Sequence, residues 1–282
     1  MTPLMQAAKL IAEADGLLIT AGAGMGVDSG LPDFRGTEGF WKAYPALKNA
    51  GIEFTSIASP NAFVRSPKQA WGFYGHRLAL YRNTVPHAGF QILQDIAAHM
   101  PKGALVVTSN VDGQFQKAGF SDSQVWEVHG SIHRLQCLDP CHETVWPASA
   151  ITPKIDDATC EWTGGPMPFC PKCHRLARPN ILMFNDWGWI NTYTAIGRAW
   201  FEQWIEQVSK FIVLEVGAGT VLPKIRQISR AVEAPLIRIN PQCAYDNDVE
   251  IALPYGALAG LLGIRKELES IGWMPASKSS QE

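Results

Sequence analysis

Four cysteines are spaced for a metal. Cys137-x3-Cys141 and Cys170-x2-Cys173 form two short knuckles 28 residues apart, an arrangement that lets four thiolates converge tetrahedrally on Zn²⁺. His142 and His174 stand beside the knuckles, and either can replace a cysteine as ligand, although a four-cysteine set needs neither. With all four positions filled by protein, such a zinc is structural and leaves no place for an activated water. Cys160 and Cys243 have no partner at ligand spacing and read as ordinary residues. The plain alternative to the whole module is four incidental thiols.

A glycine turn offers different chemistry. Gly16 to Ala21 reads as a buried strand, and Gly22, Gly24 and Gly26 follow it, allowing the backbone to turn sharply and present amide N–H groups to a pyrophosphate. The spacing is wrong for an ordinary dehydrogenase fingerprint, because Val27 sits where the third glycine belongs and Pro32 interrupts any helix. Two further strand ends carry polar side chains. The run Gly103 to Thr108 leads into Ser109-Asn110-Val111-Asp112, and Val125 to Val128 leads into His129 and small residues. Asn and Asp there often only shape a turn, and a single histidine is more often structural than catalytic. An imidazole titrating near neutral pH nevertheless suits a general base. Tyr74 and Arg77 lie three residues apart on one face of an expected helix. Together a guanidinium and a phenol can hold a carboxylate, the alternative being an ordinary amphipathic face with Arg77 solvated.

The elements that must position these residues alternate. Helical spacing marks 3–14, 86–99, 193–208, 221–233 and 256–270, and short β-branched runs mark the strands named above together with 211–216 and 236–239. Alternation of this kind predicts an α/β fold with a mainly parallel sheet, whose ligand lies at the carboxyl ends of the strands. Residues 37–85, rich in aromatics and helical in their second half, and 130–185, rich in proline and cysteine, interrupt the alternation and predict a smaller lobe beside the sheet. The last residues, ending Ser-Lys-Ser-Ser-Gln-Glu, read as a disordered tail.

Composition narrows the function classes. The 282 residues are 46% hydrophobic, enough for a sizeable core in one large or two modest domains. A net charge of −2 with scattered Lys and Arg points away from nucleic acid and anionic membranes. No apolar run approaches the roughly 20 residues of a spanning helix, and six cysteines without a secretory signal suggest reduced thiols or metal. These features together predict a cytoplasmic protein.

The first loop, Gly22-Ala-Gly-Met-Gly-Val-Asp-Ser-Gly-Leu-Pro-Asp-Phe-Arg35, resembles the G-A-G-x-S-x-x-S-G-I-P-D-F-R loop of the sirtuins, NAD-dependent protein deacylases and ADP-ribosyl transferases. The order of motifs from Ile19 to about Leu262 identifies the chain as a divergent, bacterial-type member. The resemblance implies a Rossmann-like, mainly parallel sheet: residues 1–36, 101–129 and 186–274 form a discontinuous NAD-binding domain. A helical module (37–100) and a zinc ribbon (130–185) form the small lobe, and 275–282 a disordered tail. It implies that Gly22, Ala23 and Gly24 face NAD, that Phe34 screens its reactive face and that Asp33 and Arg35 order the loop. Ser109 and Asn110 are expected near the ribose, Asp112 on the nicotinamide amide, and His129, rather than the other six histidines, as general base on the ribose hydroxyls. Gly217 belongs to a compressed form of the family's G-T-S loop, Asn240 is expected near the adenosine ribose, and Gly256 and Ala257 near the adenine. Arg178-Pro-Asn-Ile-Leu-Met183-Phe184-Asn185-Asp186 resembles the segment on which an acyl-lysine peptide pairs through its main chain. Cys137, Cys141, Cys170 and Cys173 match the family's zinc ribbon.

The expected activity is removal of acyl groups from protein lysines, with release of nicotinamide and O-acyl-ADP-ribose. Deacetylation is the base expectation. Tyr74 and Arg77 resemble a Tyr-x-x-Arg pair found in sirtuins that remove succinyl, malonyl or glutaryl groups, so desuccinylation and demalonylation are the finer one. Several positions depart from the pattern: Gly26 stands for serine, Ser109 for glutamine, Gln114-Phe115 for Leu-His and Asn185 for glycine. These departures keep open an NAD glycohydrolase, a protein ADP-ribosyltransferase or a non-catalytic NAD sensor. Asn185 is expected to narrow the peptide groove, and Trp187 and Trp189 to cover it.

Overall fold

The computed structural model describes residues 1–33, 36–242 and 245–276. Phe34, Arg35, Cys243 and residues 277–282 of the expected tail lie outside the described residues. Strands β1 (Gly16–Ala21), β2 (Ala104–Thr108), β3 (Val125–Glu127), β9 (Phe211–Val216), β10 (Leu236–Ile239) and β11 (Ile251–Leu253) form a six-stranded sheet in the order β11-β10-β9-β1-β2-β3. Every pairing within it is parallel. The intervening strands β4 (Gly130–Cys137), β5 (Trp146–Pro147) and β8 (Ala177–Ile181) make a separate three-stranded sheet, and β6 (Ile155–Asp156) with β7 (Glu161–Trp162) a hairpin.

Parallel strands buried on both faces explain the apolar runs. Leu17, Ile19, Val106, Leu214 and Ile237 point to one side, where they pack with Ile11, Leu93, Ile96, Leu261 and Ile264 from the helices Pro3–Ala12, Ala88–His99 and Ala257–Ser270. Leu18, Leu105, Val107, Val213 and Leu236 point to the other, toward the helices Thr192–Gln207 and Lys224–Ala231. Alternation with period two thus fills two cores, each fully buried Leu, Ile or Val contributing about 1.5–3 kcal/mol. The second face also holds a charged pair. Glu215 and Arg238 are cross-strand neighbours, both fully buried and bonded to each other. Removing either alone would strand a buried charge, at a cost of about 3–5 kcal/mol.

Chain order reverses at β1, with β2 and β3 on one side and β9, β10 and β11 on the other. A crevice at the carboxyl ends of β1 and β9 follows from that reversal. The smaller core lies across it. Phe40, Tyr44, Phe63, Trp71, Phe73, Tyr74 and Trp162 pack together there, drawn from 36–83 and the β6–β7 hairpin. The helix Pro67–Asn83 is buried on more than one side, and a side chain at Gly72 would meet the Cys160 carbonyl oxygen at 1.9 Å. That glycine is what lets the hairpin backbone sit against the helix.

Candidate active site

Consecutive strand ends deliver the polar residues to one edge. After β1, the Gly22 N–H donates to Val216 O (3.0 Å) and the Gly24 N–H to Gly217 O (3.0 Å). A Cβ on Gly22 would lie 2.7 Å from Gly217 O, and one on Gly217 would lie 2.4 Å from backbone atoms of Gly24 and Met25. Gly217 also has φ +63°, in the region that glycine tolerates at little cost. The glycines therefore serve first to pack two strand-end loops backbone against backbone. The N–H groups of Ala23 and Gly219, at the rim, donate to no protein acceptor among the described residues. Asn240, after β10, donates from Nδ2 to Ala218 O (3.0 Å) and accepts from the Gln242 N–H (3.1 Å), so it braces the Gly217 loop. Gly256 precedes the helix Ala257–Ser270; its missing side-chain cap is supplied by Asp28, whose Oδ2 accepts from the Leu258 N–H at 2.8 Å.

After β2, the Ser109 N–H donates to Ala21 O (3.1 Å) and Asn110 Nδ2 to Gly22 O (3.0 Å). Asn110 Oδ1 has no protein partner among the described residues. Asp112 is buried and accepts from the Gln114 N–H at 2.9 Å. Burial pushes its carboxyl up to about 6, against the opposing pull of that hydrogen bond and of the Arg77 charge. His129, after β3, is half-buried, and burial holds its imidazole below the ordinary histidine value. The ring is therefore mostly neutral at pH 7 and able to accept a proton. Its carbonyl accepts from the Leu182 N–H at 2.9 Å, tying the histidine to the segment beyond β8. Gly130 has φ +77°, and a Cβ there would lie 2.1 Å from Asn180 O. Only glycine lets β4 meet β8 directly after the histidine.

β8 is an edge strand of the small sheet. The turn beyond it is clamped by Arg178 and Asp186, both fully buried, through bonds of 2.7 and 2.8 Å from Nη1 and Nη2. Asp186 also accepts from the Met183 and Gly188 N–H groups at 3.2 Å. Met183 faces the core and Phe184 packs edge-on to Phe54 at 5.6 Å. Asn185 has φ +53° and an exposed side chain. Asparagine is one of the few residues that adopts this left-handed conformation readily. Trp187 is 98% exposed and covers nothing, contrary to the sequence expectation.

Tyr74 is buried and stacks on Phe63 at 5.6 Å. Arg77 is also buried, not solvated. It donates from Nε and Nη2 to the Tyr81 hydroxyl at 2.9 and 2.8 Å, and the rings of Phe73, Tyr74 and Tyr81 surround it. Of the first-loop residues, Asp33 is half-buried. Phe115 belongs to the sheet core, edge-on to Phe90 and Phe120, while Gln114 reaches Tyr81 O.

The four thiols lie within 4.8 Å of one another, with Cys137–Cys173 at 3.6 Å and Cys141–Cys170 at 3.7 Å. Tetrahedral Zn–S bonds of about 2.3 Å set sulfurs about 3.8 Å apart, so the cluster fits zinc with no histidine ligand. His142 Nε2 lies 3.2 Å from Cys170 Sγ, outside that set. His174, at φ +56°, forms part of the second knuckle's turn.

Sequence reasoning missed the residues that hold the first loop. His87 Nδ1 accepts from the Gly89 N–H, so Nε2 carries the proton and donates to Met25 O at 2.8 Å. The His87 N–H donates to Ser29 Oγ at 2.9 Å. Asp28 and Leu258 are 230 positions apart, and no local signal links them.

Comparison with known proteins agrees with this geometry. The model of the Sir2 family matches residues 22–214. An NAD-dependent protein deacylase of Aquifex aeolicus is 28% identical, covering 80% of this chain and 83% of its own. The mitochondrial NAD-dependent protein deacylase sirtuin-5 of Danio rerio is 28% identical over 62% of this chain and 58% of its own. The crystal structure of a Sir2 homologue in complex with NAD shares the fold, with a TM-score of 0.71 at 23% identity over 94% of each chain.

Proposed function

The chain belongs to the Sir2 family, and from that premise we propose that it is an NAD-dependent protein-lysine deacylase. The observation that carries the reading is the convergence of Asn110, Asp112 and His129 on the edge of the sheet where the glycine loops end. The relatives described above are named deacylases, which gives no support to the hydrolase, transferase or sensor alternatives.

NAD fits this edge. The open N–H groups of Ala23 and Gly219 suit a pyrophosphate, Asn110 Oδ1 has no donor among the described residues, and Asp112 takes the nicotinamide amide in this reading. Gly22, Gly24, Gly217, Ser109, Asn240, Gly256 and Ala257 complete the binding loops in this proposal, together with Asp33, Phe34 and Arg35. As co-substrate, NAD supplies the glycosidic bond whose cleavage releases nicotinamide and moves the acyl group from lysine to ADP-ribose. Neutral His129 acts as the base that takes a ribose hydroxyl proton. The extended segment at Met183, Phe184 and Asn185 receives the acylated peptide by main-chain pairing. Zn²⁺ on Cys137, Cys141, Cys170 and Cys173 keeps the ribbon folded and takes no part in the chemistry.

Acyl preference follows from Arg77. A buried guanidinium beside Tyr74, held by the Tyr81 hydroxyl, suits a succinyl or malonyl carboxylate, and acetyl lacks that partner. The division into a discontinuous NAD-binding domain (1–36, 101–129, 186–274) and an inserted lobe (37–100, 130–185) is part of the same proposal, supported by separate apolar clusters. Reduced thiols at the metal cluster favour the cytoplasm. Among the described residues no helix is long and apolar enough to cross a membrane.

The test incubates the protein with NAD and acetylated or succinylated peptide and follows products by mass spectrometry. O-acyl-ADP-ribose is the expected product, and His129→Ala is expected to lower its rate by about 10²–10⁴-fold with unchanged thermal unfolding. Free ADP-ribose without peptide turnover, modified protein or unchanged NAD would each replace the deacylase reading. Arg77→Met is expected to depress desuccinylation far more than deacetylation, and equal losses would remove the acidic-acyl preference.

A further inference from the structure

A cleft of about 460 Å³ opens where Tyr81 and Arg82, the 112–117 segment, β4, β5 and Tyr193 meet. It shares only Asp112 with the NAD-side loops. Three cations line it, and two of them have no carboxylate partner among the described residues. Arg82 donates to the carbonyls of Ile151 (2.6 Å) and Ala148 (2.7 Å), while Lys117 Nζ donates to those of Arg82 (2.7 Å) and Thr84 (2.5 Å). Backbone dipoles orient these charges without neutralising them. The third cation, Arg134, pairs with Glu127 at 3.0 Å and lies over the Tyr193 ring at 4.2 Å. All three crowd His133 and help burial hold its ring below the usual histidine range. The anionic side is weak. Asp122 is exposed and only within 4.0 Å of Arg134, and burial pushes Glu127 up to about 7. Glu127 lines an adjoining cavity of about 160 Å³ that also includes Arg134 and Tyr193.

We propose that this cleft is a second small-molecule site, taking an aromatic anion whose phosphate or carboxylate meets Lys117, Arg82 and Arg134 while its flat body lies against Trp146 and Tyr193. A volume of this size suits a small ligand, and guanidinium groups suit either head group. The site connects directly to the active site, because His133 Nε2 donates to the Asp112 carbonyl at 2.8 Å. Occupancy is thus felt one hydrogen bond away from the loop that carries Asp112.

Calorimetric titration of the zinc-loaded protein, held at saturating ADP-ribose, tests the site with phenyl phosphate, benzoate and inorganic phosphate as probes. The readout is binding, so it does not depend on deacylation. One equivalent of phenyl phosphate or benzoate is expected to bind, with ADP-ribose changing its affinity less than threefold. Whichever of the two binds more tightly identifies the head group. Lys117→Gln is expected to weaken binding at least tenfold, and Lys117→Arg to restore it. Because Lys117 also ties two carbonyls, Gln116→Glu serves as a second variant; the Gln116 side chain makes no hydrogen bond among the described residues, and the change places a negative charge in the cleft and is expected to cost at least tenfold. Displacement of the probe by ADP-ribose, unchanged affinity in both Lys117→Gln and Gln116→Glu, or inorganic phosphate binding as tightly as phenyl phosphate would overturn the proposal.

Discussion

The two sides of the crevice are built by opposite means. On the sheet side, position comes from backbone packed on backbone: Gly22, Gly24 and Gly217 touch through main-chain atoms, with ladders and two apolar cores behind them. On the small-lobe side, strands of two residues cannot hold themselves, and side chains do the holding through the Arg178–Asp186 clamp, an aromatic cluster and four converging thiols. The sheet side should therefore tolerate loss of a metal but not of a glycine. The lobe should tolerate changed turn residues but not loss of its metal.

Removing zinc breaks this comparison most forcefully. Structural zinc supplies on the order of 10 kcal/mol of folding free energy, so Cys170→Ser or exhaustive chelation is expected to abolish deacylation and open 137–175 to protease. Most of the sheet's circular dichroism and its cooperative unfolding transition are expected to persist. Full activity after verified zinc removal would show that the lobe stands on its aromatic core alone.

Gly217→Ala probes the other side at an intermediate scale. A methyl there must accept φ +63° and contacts of 2.4 Å with Gly24 and Met25 backbone atoms, a combination costing about 2–5 kcal/mol. Chemical denaturation should show the loss in the sheet transition, accompanied by weaker NAD binding, while the ribbon's protease resistance is unchanged. A variant with wild-type stability would mean that the loops separate easily and that packing between them does not fix the crevice.

How much of this was legible in the sequence follows the same division. The sheet strands could be read because parallel strands buried on both faces are continuous apolar runs, and the polar residues at their ends stand out against those runs. β11, only three residues long, escaped notice. In the lobe, β5, β6 and β7 have two residues each, too few to show a period. The helix Pro67–Asn83 is covered by neighbours on several sides, so of the two readings open for Arg77 the solvated one is excluded by its burial. The cysteine spacing was clear because metal geometry is written in ligand intervals. The Asp28–Leu258 cap and the Lys117–Arg82–Arg134 cleft depend on residues far apart in the chain, joined only by the finished fold.

The smallest effect is expected at Asn185, where the sequence alone suggested trouble. An ordinary L-residue pays roughly 1–2 kcal/mol in the left-handed region, asparagine pays less, and a glycine placed there would gain unfolded-state entropy of about the same small size. Asn185→Gly is therefore expected to change stability by less than about 1 kcal/mol and peptide KM by less than twofold, because the amide is exposed and Asp186 fixes the turn independently. Asn185→Val is the sharper counterpart. Its branched side chain is poorly suited to φ +53°, so it should raise peptide KM without altering NAD affinity. A large gain in peptide affinity from Asn185→Gly would instead show that the amide narrows the groove, and would place the specificity of this turn in its side chain, not in the backbone shape that the Arg178–Asp186 clamp preserves.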